Sequence, residues 1–452
     1  MSVSSHPMTA TARTCSVRRS YPGSPGPSEL AGGQLAFSVC VVALLWTLAV
    51  PSLLQGQPVT EADRVVAPQT FTPEFADMRF GSDVAIGYQE QPVFLSTAPG
   101  IGGVYRGRRT SHGWIFRGLL PEDMWGSTVA TRGADEIFGL VEHGSAVGEV
   151  WSAGTWHSLF EGIDGAPGAL DVFPGVIVVG MPGYGNGAGR VRVFRYNAKF
   201  DIWLSDPPLD GELSEGFGTS VALDPGTGFL LVGAPGAGDN GKVQTFAYDG
   251  SWIEWVALLP PPEFDSQSGA AFGTSLAVEE DWVAVGAPAA NKIFSGIGIP
   301  ADDVGAVLMY QDDFLTYDFR EFFQEMHEGD ALGTDVALGS VEGELLLAVG
   351  SPGADLGAAN TGGVRTFTLG PGETMWTERQ HLIASDRGQG DALGTSVDVF
   401  ERRVVAGAPG WDYCDPGLLC VADVGSVYVF EHVGAIFIDG FETGDLSAWS
   451  AP

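Results

Sequence analysis

A six-residue motif recurs along this chain and constrains its fold more than any other feature. Its copies begin about 42 to about 61 residues apart, the length of one four-stranded unit plus loops. The clearest copies are F-G-T-S-V-A from Phe217, F-G-T-S-L-A from Phe272, L-G-T-D-V-A from Leu332 and L-G-T-S-V from Leu393. Looser copies begin at Phe80 and Trp125, and a decayed one lies near Gly168.

Each copy continues in the same order. A β-rich run ends in Gly-Ala-Pro or a relative, as in Val232-Gly233-Ala234-Pro235, and proline stops the strand because it has no N–H to donate. An alternating third strand and a tryptophan-bearing fourth strand follow in most units. This order predicts an all-β chain folded as a seven-bladed β-propeller of four-stranded antiparallel blades. A linear β-solenoid is the alternative, but solenoids need shorter and more constant repeats.

The F-G-T-S-V-A opening followed by V-G-A-P resembles the FG-GAP repeat of integrin α-chain propellers and of exported bacterial proteins. The resemblance covers roughly residues 60 to 432. It implies a propeller whose function lies anywhere from adhesion to unassigned modules beside enzymes, because a fold does not fix a function.

The two ends of the chain stand outside the repeats. Residues 1–56 are predicted to be an export signal because Leu35 to Leu54 carries no charge, and an uncleaved N-terminal anchor is the alternative. The propeller is assigned to 57–432. Residues 433–452 resemble the D-G-F-E-x-G-D-x-S-x-W tail of many exported bacterial proteins, which indicates a sorting motif or the remnant of a lost domain. We therefore expect an extracellular or cell-surface location.

The net charge of the chain excludes two classes of binding partner. With 22 Lys and Arg against 56 Asp and Glu, the formal net charge is −34. Nucleic acid and anionic lipid are bound mainly through Lys and Arg, so neither is expected as a partner. Contact with a membrane is expected only through an uncleaved signal, and the protein is expected to be a monomer.

Two cysteines remain once the predicted signal is set aside. Cys414 and Cys420 flank Asp415-Pro416-Gly417, a turn-forming triplet that can bring them within bonding distance. In an exported protein such a pair indicates a disulfide.

Integrin-type repeats often carry calcium loops of D-x-D-x-D/N-G type, so the resemblance raises the question of calcium. The corresponding segments here, such as Asp224-Pro225-Gly226-Thr227-Gly228, do not offer three alternating oxygen ligands. We therefore expect no cofactor beyond weakly held Ca²⁺. The weak candidates are Asp302, Asp303, Asp330 and Asp391.

Motifs for catalysis are missing from the sequence. The seven histidines show no H-E-x-x-H spacing, and no G-x-S-x-G elbow is present. The chain is therefore predicted not to be an enzyme, with a carboxylate-based glycan-active site as a remote alternative.

Two connections are longer than their counterparts, Ala289 to Val304 and Gly410 to Val424. Long loops on a rigid ring often bind ligands, although their apolar residues can also fold back to cap a blade. The candidate contact residues are Ile293, Phe294, Ile297, Ile299, Trp411 and Tyr413. These loops favour a non-catalytic binding or adhesion module for a protein or glycan ligand, and a structural envelope protein is the alternative.

The last repeat lacks a fourth strand of its own, so some other segment must cover its edge. Residues 64–72 precede the first repeat, where every later repeat is preceded by a fourth strand. The sequence therefore predicts that 64–72 pairs with 425–430 and closes the ring.

Overall fold

Almost all of the regular structure is β-strand. The computed structural model describes residues 61–66, 77–89, 91–100, 103–110, 113–118, 125–132, 136–142, 148–152, 155–160, 168–224, 226–261, 269–293, 300–312, 316–324, 327–414 and 420–431. The chain divides into two units, Met1–Gln55 and Gly56–Pro452, and every described residue lies in the second. The predicted export signal and the tail from 433 therefore lie outside the described residues. No helix in the described part is both long enough and apolar enough to span a bilayer.

The first three sheets follow one another along the chain, and each is antiparallel. Sheet 1 contains β2 (Val84–Gln89), β3 (Gln91–Thr97), β4 (Val104–Thr110) and β5 (Gly113–Gly118). Sheet 2 contains β6 (Trp125–Arg132), β7 (Glu136–Glu142), β8 (Gly148–Ser152) and β9 (Thr155–Phe160). Sheet 3 contains β10 (Ala169–Phe173), β11 (Val176–Met181), β12 (Arg190–Asn197), β13 (Ile202–Ser205) and β14 (Leu209–Asp210), with the helical turn α1 (Tyr184–Gly187) between β11 and β12.

The remaining sheets have four strands each. Sheet 4 contains β15 (Ser220–Leu223), β16 (Leu230–Ala234), β17 (Lys242–Tyr248) and β18 (Trp252–Leu258), and sheet 5 contains β19 (Ser275–Glu279), β20 (Trp282–Ala287), β23 (Ala306–Asp312) and β24 (Tyr317–Gln324). Sheet 6 contains β25 (Val336–Val341), β26 (Glu344–Ser351), β27 (Gly363–Leu369) and β28 (Thr377–Leu382), and sheet 7 contains β29 (Ser396–Phe400), β30 (Arg403–Ala408), β33 (Ser426–Phe430) and β1 (Glu61–Val66). Two small hairpins are added, β21 (Lys292–Ile293) with β22 (Pro300–Ala301) and β31 (Tyr413–Cys414) with β32 (Cys420–Val421).

The sheets form a closed ring. The first strand of each sheet contacts the first strand of the next in the order β2, β6, β10, β15, β19, β25, β29, and β29 contacts β2 again. In the described residues, a separate hydrophobic cluster fills each seam between neighbouring sheets. The core is therefore distributed among the seams, with each sheet buried on both faces.

Sheet 3 corrects one feature of the prediction. The all-β propeller of small antiparallel four-stranded blades is confirmed, but six sheets have four strands and sheet 3 has five. Its β13 pairs only with the second half of β12, while β14 pairs with Arg190 and Val191 at the start of β12. Pro207 and Pro208 lie between the two outer pieces and cannot donate to the ladder, so the outer edge is split into two short strands.

The N-terminal segment closes sheet 7, as predicted. Strand β1 runs antiparallel to β33, with Val65 opposite Val427 and Glu61 opposite Phe430. The strand spans 61–66 rather than 64–72, so Pro68 lies beyond it and the ladder does not have to accommodate a proline. Sheet 7 is thus built from both ends of the propeller.

The glycines of the repeat lie where neighbouring sheets touch. A Cβ added at Gly233, the glycine of Gly-Ala-Pro in sheet 4, would overlap the carbonyl oxygen of Gly273, which opens sheet 5. The same contact joins Gly180 to Gly218, Gly286 to Gly333, Gly350 to Gly394 and Gly407 to Gly81. The opening glycines also have φ between 86° and 93°, where side chains are strained. The motif therefore has glycine at the positions where the backbones of two neighbouring sheets are in van der Waals contact.

Candidate functional site

The fourth residue of the opening motif links several sheets to the next. Where it is serine, its hydroxyl donates a hydrogen bond to the carbonyl of the opening glycine in the neighbouring sheet. These bonds join Ser220 to Gly273 (2.8 Å), Ser275 to Gly333 (2.9 Å) and Ser396 to Gly81 (3.0 Å). All three serines are buried.

Aspartates also link neighbouring sheets, at three further seams and, through Asp398, at the seam that Ser396 bridges, and sequence reasoning missed them. Asp83 and Asp335 occupy the position of those serines, and Asp171 and Asp398 lie two residues further along their strands. Each carboxylate accepts a backbone N–H from the next sheet: Asp83 from Val129 (2.8 Å), Asp335 from Val397 (2.7 Å), Asp171 from Leu223 (2.7 Å) and Asp398 from Ile86 (2.7 Å). The signal in the sequence was the replacement of Ser by Asp in the copy at Leu332 and its looser relative at Phe80.

These aspartates face a central channel with a volume of about 680 Å³. Three glutamates also line it, and no Lys, Arg or His is found among the described residues of its wall. The lining carboxylates are those of Asp83, Asp171, Asp335, Asp398, Glu279, Glu342 and Glu401. The channel is therefore a concentrated acidic site inside an acidic protein.

Burial in the channel wall disfavours the charged form of these carboxyl groups. It raises the pKa of Asp83 to about 6 and the pKa of Asp398 to about 7, and it raises the pKa of Asp335 well above its ordinary value. Hydrogen bonds from backbone N–H groups oppose the increase. The neighbouring carboxylates add to it, Asp83 and Asp171 in the case of Asp398.

One face of the ring carries the longer connections. A parallel bridge joins the residue just before the third strand to the opening residue of the next sheet, for example Gly305 to Leu332 and Gly362 to Leu393. The connections between second and third strands therefore lie on the face where the motifs open. We call this the opening face.

Both connections singled out from the sequence build hairpins on the opening face. In sheet 5 the hairpin is β21–β22, and in sheet 7 it is β31–β32. Ile293 lies in β21, whereas Phe294, Ile297 and Ile299 lie outside the described residues, so their role as contacts stays a prediction.

The structure buries Trp411, one of the candidate contact residues. Only 7% of Trp411 is exposed, and it belongs to the hydrophobic cluster between sheets 6 and 7. Tyr413 packs against the same cluster and is half-buried. Trp411 therefore folds back onto the ring, which is the alternative given above for the apolar residues of this connection.

A cleft of about 360 Å³ lies on the opening face beside the connection of sheet 4. Lys242 lines it and pairs with Glu215 (3.0 Å), while Leu259 at its edge is 59% exposed. The cleft combines apolar and charged groups, the combination found at many ligand-binding surfaces.

The predicted disulfide between Cys414 and Cys420 is present and joins β31 to β32. Replacing both cysteines by serine is expected to lower the free energy of unfolding by no more than about 2 to 3 kcal/mol, because the bond closes a short ring. Intact mass of the non-reduced protein checks the bond, which makes the pair about 2 Da lighter than two thiols. Two free thiols in the purified, non-reduced protein would contradict it.

The loop that the resemblance would make a calcium site does not fit the ion. The carboxylate of Asp224 accepts the N–H groups of Gly226 (2.7 Å) and Thr227 (3.2 Å) on one oxygen and the hydroxyl of Tyr317 (2.9 Å) on the other. Asp224 is buried, with 2% exposure, so the tyrosine hydroxyl occupies the side on which a cation would bind.

The weaker candidates are dispersed. Asp302 and Asp303 are exposed, whereas Asp330 and Asp391 are buried. Asp330 lies 3.4 Å from the imidazole of His327, and Asp391 accepts the N–H of Gly388 (2.5 Å). In the described part of the chain, no group of three or more His, Cys, Asp or Glu side chains has an arrangement suited to a metal.

Removal of divalent cations is expected to change the melting temperature by less than about 2 °C, because weak sites contribute little at ordinary ion concentrations. Thermal denaturation with EDTA and with millimolar Ca²⁺ measures this. A rise of more than about 10 °C on adding Ca²⁺ would show that a tight site exists.

Exposed apolar side chains concentrate on sheets 3 and 4 and were not foreseen. They lie on the outer strands, at the ends of the third strands and on the turns that join third to fourth strands. The described ones are Tyr196, Phe200, Ile202, Leu204, Tyr248, Ile253, Trp255 and Val256. Phe200, at 62% exposure, is the most exposed of these.

Comparison with known proteins supports the fold. No curated protein sequence matches the chain. A chain of the solved "Crystal Structure of Mitotic Checkpoint Complex" is similar with a TM-score of 0.52 and 11% sequence identity, covering 93% of this chain and 99% of that chain. Such a likeness shows the fold alone. Residues 376–430 match the family model of the FG-GAP repeat. In its last repeat the chain is therefore similar to the FG-GAP repeat family, as its opening and Gly-Ala-Pro motifs predicted.

Proposed function

We propose that this protein is an exported, non-catalytic binding module that presents its opening face to a protein or glycan ligand. The observation that carries the proposal is that both connections of unusual length build an added hairpin on that same face. FG-GAP repeat proteins are typically non-enzymatic, which supports binding rather than catalysis.

Equivalent hydrogen bonds fix the bases of the two hairpins. In sheet 5 the N–H of Gly305 donates to the carbonyl of Ala290 (3.1 Å), and in sheet 7 the N–H of Gly425 donates to that of Trp411 (2.9 Å). The side chains at the next position, Asn291 and Asp412, accept the N–H groups of Asp303 and Asp423 (both 2.9 Å). A rigid base limits the conformational entropy lost when a loop binds, which favours affinity.

Export is supported by two features of the chain. A disulfide persists in oxidising compartments outside the cytosol, and the bond of Cys414 and Cys420 fits such a setting. The charge-free run from Leu35 to Leu54 fits a signal that directs the chain there.

Binding is tested by immobilising the full-length protein and probing it with arrays of extracellular proteins and glycans. The matched variants replace 291–304, or 412–424, by the Gly-Asp-Asn found at 238–240 in the short connection of sheet 4. We expect at least one of them to weaken binding about tenfold or more. Phe200→Ser, on the other side of the ring, is the control and should bind normally. Binding that survives both replacements, or an array without a ligand, would contradict the proposal.

A further inference from the structure

The channel aspartates share their carboxylates between two sheets. We propose that they form a proton-operated clamp, which holds neighbouring sheets most firmly in weakly acidic solution and loosens the seams as the pH rises. The clamp is independent of the proposed ligand-binding face.

The hydrogen bonds fix each carboxylate in the channel wall. Oδ1 of Asp398 accepts the N–H of Val399 in its own strand (2.8 Å), and Oδ2 accepts the N–H of Ile86 across the seam (2.7 Å). Asp171 is bonded in the same way by Val172 (2.7 Å) and Leu223 (2.7 Å). Both oxygens of each carboxylate are therefore held by backbone N–H groups, which fixes the side chain in the channel wall.

The groups that face these aspartates are themselves acidic. Asp83, Asp171, Asp335 and Asp398 face one another across the channel, and Asp83 also accepts the hydroxyl of Thr128 (2.7 Å). The same wall contains three glutamates, of which Glu279 accepts the hydroxyl of Ser340 (2.7 Å) and Glu401 pairs with Arg403 (2.6 Å), while Glu342 is the third. No cation among the described lining residues balances the aspartates, so each proton lost adds an uncompensated charge.

The direction of the effect follows from proton linkage. Burial raises the pKa of Asp83 to about 6 and of Asp398 to about 7, above the ordinary value of 3.8. The folded protein therefore holds more protons than the unfolded chain between about pH 4 and about pH 7. The contribution of these two carboxyl groups to the free energy of unfolding is fully present below about pH 4 and is lost as the pH rises through this window.

Serine seams provide an internal control. Ser220 and Ser275 join sheets 4, 5 and 6 at the same motif position and do not titrate in this range. The loosening should therefore be confined to the seams that aspartates bridge, whereas a general effect of the net charge would act on every seam.

Hydrogen exchange of the full-length protein at about pH 5.5 and about pH 8 separates these cases, with each rate divided by its intrinsic value at that pH. We expect the protection of segments 84–89 and 396–400, which contain the N–H groups of Ile86 and Val397, to fall about tenfold at the higher pH. Segment 275–279, at a seam bridged by serine, should be unchanged. An equal change in all three segments, or no change, would overturn the clamp.

A matched pair of variants tests the same point by melting temperature. Asp335→Ser replaces the carboxylate by the residue that the protein itself uses at this position, and the carbonyl of Gly394 stands where Gly273 and Gly333 accept serine hydroxyls. The wild type should melt about 5 °C lower at about pH 8 than at about pH 5.5, and Asp335→Ser should reduce this difference. Asp318→Ser removes an exposed carboxylate and should leave the difference intact. Equal effects from both variants would overturn the proposal, and if Asp335→Ser does not fold, the exchange result decides.

Discussion

Gly286→Ala is expected to destabilise the folded ring by at least about 3 kcal/mol, because the added methyl group overlaps backbone that cannot move alone. The Cβ would meet the carbonyl oxygen of Gly333 in the next sheet and the hydroxyl of Ser275. Separating the two strands would relieve the overlap only by opening the seam and breaking the bond from Ser275 to Gly333. Denaturation in urea measures the loss.

Gly250→Ala is the matched control for this variant. Gly250 has φ of 77°, and no atom lies within 4 Å of an added Cβ. It therefore carries the strain of a left-handed conformation without the overlap, and its replacement should cost about 1 to 2 kcal/mol. If the two variants lose equal stability, the contact between sheets is not what requires glycine in the repeat.

Deletion of residues 57–75 is expected to lower the melting temperature by more than about 10 °C and to cause association that depends on protein concentration. The deletion removes β1 and leaves the backbone groups of β33 unpaired along one edge. An exposed strand edge pairs readily with another chain, so lost stability and association should appear together. Calorimetry and sedimentation measure the two effects.

Removal of 440–452 is the control for the truncation, because those residues lie outside the described ring and outside the repeats. It should leave the melting temperature within about 2 °C of the wild type. A synthetic peptide of residues 57–75, added to the shortened protein, should restore part of the lost stability. Equal, small effects from both truncations would refute closure by the N-terminal strand.

The ring was predictable because its determinants are local and repeated. The positions of Gly233 and Gly286 in Gly-Ala-Pro mark the end of a strand in sequence, and the same glycines mark the contact between sheets in space. The missing fourth strand of the last repeat predicted closure by the N-terminal segment, although its bounds moved from 64–72 to 61–66. The repeat pattern predicts one outer strand in each sheet, so it does not reveal that Pro207 and Pro208 split the outer edge of sheet 3.

The candidate site was less predictable because it depends on residues from different repeats. Asp335 and Asp398 are separated by 63 positions, and only the ring brings their carboxylates into one channel. In the sequence, each of them looks like an ordinary polar residue of a strand. Only the folded ring shows that their carboxylates accept backbone N–H groups of the neighbouring sheet. The side-chain environment of Trp411 was equally hidden, since burial against sheet 6 is a tertiary property.

The pairing of Glu61 with Phe430 places the two ends of the ring opposite each other in one ladder. A short turn could therefore join them, and the chain could be opened elsewhere as a circular permutant. The turn at Gly250 between β17 and β18 suits the new ends, because no atom lies within 4 Å of a Cβ added at that glycine. The cut would leave sheet 4 closed by a strand from the other terminus. The new termini could equally be placed at any other turn between a third and a fourth strand. No particular sheet therefore has to be built from the two chain termini.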